Sequence, residues 1–188
     1  MDLKSHFLNA VVVTSVFVLS FQLVIQIFNP IQAFFLTTGH ASMLFLPHGI
    51  RVLAVFLYGP GPSSFYLLIA SLVSVAFSDS SMDKSAVTVA LQTLTGAFCA
   101  PVAYLLLKYS FGSEHITLGA VNQRTWRGIF MVIILSSLLN GLFQTLSIGI
   151  VDTRVADIML PLIYTMGDIL GAIFVLFVAN FLLSKTLS

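Results

Sequence analysis

Of the chain's 188 residues, 58% are hydrophobic and only 8% are charged, where an ordinary soluble domain carries roughly 25% charged residues. Eight Lys plus Arg against seven Asp plus Glu, with a mean hydropathy of +1.04, exclude a soluble globular protein and leave no basic field for nucleic acid. The solvent that suits this composition is the lipid bilayer. Its hydrocarbon core of about 30 Å takes about 20 apolar residues per helical span. The fold class is therefore all-α, a polytopic transmembrane helical bundle of about six spans, read as one domain over residues 1–188.

The first span covers 8–28. It follows Lys4 but is too long for a secretory signal, and no small-residue cleavage pattern closes it, so it is expected to be retained. The second, 38–58, is interrupted by Pro47, His48 and Gly49 and closes at Gly59-Pro60-Gly61-Pro62, a turn signal. The third, 63–77, is short. The fourth, 85–107, contains the lone Cys99, which has no disulfide partner and reads as a packing residue. The polar stretch up to Arg127, with Trp126 near its end, is a solvated or interfacial loop. The fifth and sixth spans cover 128–150 and 158–183. Lys4, Lys108, Arg124, Arg127 and Lys185 fall on one side and only Lys84 and Arg154 on the other, which places both termini in the cytoplasm.

An ionisable side chain at membrane depth costs at least about 2.5–3.5 kcal/mol on insertion scales and calls for a partner or a wet cavity. Arg51 in the second span and Asp168 in the sixth are the two such residues. If both spans start from the same side as continuous helices, counting from positions 38 and 158 puts these residues within about 5 Å of one another in depth. They form the candidate centre, either a structural ion pair or a ligand-binding or proton-coupled site. The alternative for Arg51 is snorkelling to the interface. His48 sits at the expected helix break, where it can act as a hydrogen-bonding group. It is about 12 Å from His40 along an ideal helix, too far to share a metal. Ser137, Asn140, Gly141 and Gln144 form one polar stripe on the fifth span, with Asn140 and Gln144 the candidates for interhelical bonds or ligand contact. Gly167 and Gly171 flank Asp168 at a spacing that allows close packing. No nucleophile and base arrangement, phosphate loop or zinc motif is present, so neither enzymatic activity nor a metal or cofactor is expected.

Leu46-Pro47-His48-Gly49-Ile50 and Gly167-Asp168-Ile169-Leu170-Gly171 resemble, in order and separation, the opening and closing motifs of the type one membrane-associated sensor domain (MASE). The likeness covers roughly 41–183. Leu46 stands where that family has tryptophan, and His48 where it has a second proline. The resemblance implies a bacterial inner-membrane bundle with Pro47, Gly49, Gly167, Asp168 and Gly171 carried over. Family members usually precede kinase or cyclase output domains. With no output domain before Ser188, the expectation is a sensor that acts through a separate membrane or signalling protein, or that takes a small-molecule ligand. The alternatives are a transporter or the substrate-binding subunit of an importer, since a six-helix bundle of this size resembles the substrate-binding components of energy-coupling-factor importers. A structural subunit of a membrane complex is the third reading.

Overall fold

The computed structural model describes residues 3–34, 42–77, 85–111, 123–149 and 159–186. All regular structure among them is helical: α1 (Leu3–Ala33), α2 (Leu46–Tyr58), α3 (Pro60–Ala76), α4 (Ala86–Phe111), α5 (Gln123–Gly149) and α6 (Met159–Thr186). Four of these, α1, α4, α5 and α6, are long and apolar enough to cross a membrane. With 13 and 17 residues, α2 and α3 reach only about 20 and 26 Å at 1.5 Å per residue, short of the hydrocarbon thickness.

Within α1 the ladder shifts through a π turn at Val24–Phe28, where the Asn29 N–H donates to the Val24 carbonyl. Pro30 follows at once and has no N–H for the Gln26 carbonyl, so a local change of hydrogen-bond spacing is expected here. The buried face of α1 carries Val13, Phe17, Ser20 and Val24, whereas Leu8, Val12, Leu19 and Leu23 are exposed. Exposed apolar faces of this kind suit lipid contact.

Helix α2 is the hub. It contacts all five other helices, which follow one another around it in the order α1, α3, α4, α5, α6, and nine of its 13 residues are buried. On one side its Val52, Val55 and Phe56 meet Ala100, Ala103 and Tyr104 of α4, Val132 and Ile133 of α5, and Ala172 and Leu176 of α6. On the other, Ala54 packs with Phe17 of α1, Tyr66 and Leu67 of α3, and Ala97 of α4. A helix enclosed by others need not itself span the membrane, because its neighbours supply the apolar environment.

The start of α2 corrects the expected helix break. Residues 42–45 are not helical, 38–41 lie outside the described residues, and the helix begins at Leu46 with Pro47 in its first turn. There the missing proline N–H has no intrahelical acceptor to leave empty, so Pro47 starts a helix in place of interrupting one. Non-helical backbone at membrane depth must be covered by protein, and α6 covers it. The Phe45 N–H donates to the Gly167 carbonyl at 3.0 Å. A Cβ on Gly167 would fall on the Ser42 carbonyl oxygen, and one on Gly171 on that of Phe45. Gly49 makes the reciprocal approach, since a Cβ there would lie 2.6 Å from Val175 Cβ. The expected glycine packing is thus between α6 and the chain entering α2.

Helix α2 passes into α3 through the single residue Gly59, at φ 82° and ψ 164°, a region open essentially to glycine alone. Pro60 already occupies the first turn of α3. The Gly-Pro-Gly-Pro signal therefore marks a one-residue corner.

Candidate functional site

The polar residues of α2, α5 and α6 converge on one buried centre. His48 lies in the first turn of α2 and is fully buried, and Asp168 of α6 is 1% exposed. His48 Nδ1 lies 3.4 Å from Asp168 Oδ2, facing it without a formed hydrogen bond. Asn140 of α5 donates from Nδ2 to the same carboxylate oxygen at 2.7 Å. On the far side of the imidazole, Nε2 lies 2.9 Å from Ser136 Oγ and 3.3 Å from Ser137 Oγ. Three helices are thereby tied through one ring and one carboxyl group.

The helix faces explain why these groups meet. Ser136 and Asn140 are one turn apart on α5, so one side chain reaches His48 and the other Asp168. Gly141 lets α6 approach, since a Cβ there would sit 2.7 Å from the Pro161 carbonyl oxygen. Thr165 Oγ1 reinforces the same junction by donating toward the Pro161 carbonyl at 2.8 Å, with the Ser137 carbonyl at 3.4 Å. Gln144 stands at the rim. Its Nε2 reaches Asn140 Oδ1 at 3.4 Å and the Gln92 carbonyl of α4 at 3.3 Å.

Matching donors to acceptors gives the centre a definite chemistry. An unprotonated Nδ1 facing an ionised carboxylate would set two lone pairs against each other, so a proton belongs on one of the two atoms. With the proton on Nδ1, Nε2 accepts from a serine hydroxyl. With Nε2 protonated and donating to serine, the carboxyl group must hold the other proton. Ser136 can serve both states, because its Oγ also lies 3.2 Å from the Ile133 carbonyl, an alternative acceptor for its hydrogen. The second state holds one proton more than the first, so passing between them takes up or releases a proton at the centre while the Ser136 hydroxyl turns between Nε2 and the Ile133 carbonyl.

Arg51 is buried, at 5% exposure, but the close side-chain contact of Asp168 on α2 is His48. This corrects the direct Arg51–Asp168 pair. A helical rise counted back to position 38 runs through residues 42–45, which are not helical, so the assumed register does not hold. One turn beyond His48, the guanidinium instead lies between the rings of Phe17 and Phe45, with Cζ 5.4 and 5.3 Å from their centroids. Its Nε and Nη1 have no hydrogen-bond partner. Ring contact is worth up to about 2 kcal/mol when desolvated, whereas each unmet buried donor costs about 1–3 kcal/mol. The faces of this group are satisfied, and two of its three nitrogens are not.

Ser136, Phe17 and Phe45 are the contacts that sequence reasoning misses. Ser136 is visible as a polar residue one turn from Asn140, but the two phenylalanines look like lipid-facing ones until the fold is known. His40 lies outside the described residues. Among the described residues, no third His, Cys, Asp or Glu joins His48 and Asp168 to make a metal cluster. In comparison with known proteins, no family model, curated protein or solved structure matches the chain.

Proposed function

We propose that this chain is a sensory or partner-binding module of the membrane, in which the His48–Asp168 centre holds α2, α5 and α6 in one of two arrangements. The observation that supports this reading is the position of the centre on the one helix that contacts all the others. A change of protonation or hydrogen bonding there alters the seat of α2, and with it the relation of the surrounding helices to a partner. The resemblance of the Pro47–Gly49 and Gly167–Gly171 segments to a membrane-associated sensor domain agrees with this assignment. A bacterial inner-membrane location, six passes and cytoplasmic termini belong to the same proposal. No catalysis is assigned.

The test is co-purification of the tagged full chain from mild detergent, as wild type and as Asp168→Asn, with both forms inserted to the same level. The expected result is a protein partner whose recovery or output changes in the variant. Recovery of no partner, together with loss of small-molecule uptake in a strain carrying the variant, would replace this reading with the importer alternative.

A further inference from the structure

A second polar locus lies where α2 faces α1, α3 and α4, away from the serines of α5. There the Arg51 guanidinium has two buried N–H positions, Nε and Nη1, without partners, and Ser71 Oγ of α3 is likewise buried without a partner. Both groups border the same point on α4. A Cβ on Gly96 would lie 2.6 Å from Arg51 Nη2 and 3.7 Å from Ser71 Oγ. The lack of a side chain at position 96 thus lets the guanidinium pack against α4 at the same backbone position that Ser71 Oγ approaches. The ring faces of Phe17 and Phe45 orient the guanidinium plane but offer it no acceptor. The carboxylate of Asp168 is engaged by Asn140 and His48.

What Nε and Nη1 lack is an acceptor. A guanidinium is always charged, and its fixed fork of donors matches the oxygens of carboxylates and phosphates. We infer that Arg51, with Ser71, forms a binding site for an oxyanion, the carboxylate or phosphate group of an amphipathic molecule held among α1, α3 and α4. The oxyanion accepts from Nε–H and Nη1–H and from the Ser71 hydroxyl, polar groups that have no partner among the described residues. Phe17 and Phe45 fix the plane of approach. The site uses side chains other than those bonded at the His48–Asp168 centre.

The experiment uses the full chain, labelled with ¹⁵N-arginine, in dodecyl maltoside, a detergent with neither carboxylate nor phosphate. Octanoate, inorganic phosphate and phosphatidylglycerol are added in separate titrations, and the Arg51 Nε–H resonance, identified by its loss in Arg51→Lys, is followed. The expected result is a saturable shift of that resonance and slower exchange of its proton. Ser71→Ala, which leaves the cation in place, should weaken the apparent affinity about fivefold or more, as loss of one hydrogen bond to a charged group does. A response to octanoate or inorganic phosphate identifies a free oxyanion, and a response to phosphatidylglycerol alone identifies a lipid headgroup. No shift with any of the three probes, or a shift of equal affinity in Ser71→Ala, would overturn the assignment.

Discussion

Truncating Asp168 to alanine removes the acceptor of the Asn140 Nδ2 bond and the carboxylate that faces His48 Nδ1. Asn140 is buried, and its donor left without an acceptor costs about 1–3 kcal/mol. Asp168→Asn removes the charge but keeps the shape. With its carbonyl oxygen at the Oδ2 position, the introduced amide can still accept from Asn140 and from a protonated Nδ1. Hydrogen bonds between membrane helices average about 0.6 kcal/mol, and weakening of these contacts is expected to cost about that amount. Set against the middle of the alanine range, about 2 kcal/mol, this leaves the alanine variant less stable than the asparagine variant by about 1.4 kcal/mol, a tenfold difference in the folding equilibrium. Reversible unfolding in mixed dodecyl maltoside and dodecyl sulfate micelles measures both. Equal losses for the two variants, or an alanine variant as stable as wild type, would show that the carboxyl group makes no buried bonds.

Further substitutions probe the frame that positions the centre. Gly171→Ala drives a Cβ onto the Phe45 carbonyl oxygen, and overpacking of this kind should cost about 1–3 kcal/mol in the same unfolding assay. Gly59→Ala forces a side chain into the corner at φ 82° and should cost about 1–3 kcal/mol, seen as a lowered midpoint in thermal denaturation. Its control is Gly61→Ala, which meets nothing within 4 Å and should be neutral or mildly stabilising. Phe45→Leu removes one of the two rings that sandwich Arg51 and should cost about 0.5–2 kcal/mol beyond the loss of apolar volume. Comparison with the same substitution in an Arg51→Met background isolates that contribution.

The apolar runs are legible because lipid imposes a requirement on length and composition that few other environments impose. Their ends are not. Hydropathy places the first span at 8–28 and the fifth at 128–150, whereas the helices run Leu3–Ala33 and Gln123–Gly149. Hydropathy locates the apolar centre of a helix, while its hydrogen-bonded ends extend into more polar sequence. The run before Pro47 misleads for another reason. Ser42–Phe45 is largely apolar, and apolarity does not separate a helix from an irregular segment sheltered by another helix. The shelter comes from Gly167 and Gly171, at the other end of the chain.

At the site, His48, Asp168 and Asn140 stand out because polar groups are rare and expensive at membrane depth. Their order of contact does not follow from that rarity. Arg51 lies nearly one turn beyond His48 on α2, and a side chain one turn further along faces different neighbours. The imidazole therefore takes the carboxylate and the guanidinium takes the two rings. Depth arithmetic resolves a turn of helix only where the helix is continuous.

Magic-angle-spinning NMR on the full chain in lipid bilayers, with ¹⁵N in the histidine rings and ¹³C in the aspartate carboxyls, tests the centre most directly. The expected result is a dipolar contact between His48 Nδ1 and the Asp168 carboxyl carbon, lost in Asp168→Ala. A His48 imidazole that instead shows contacts to water or lipid, with none to Asp168, would contradict it.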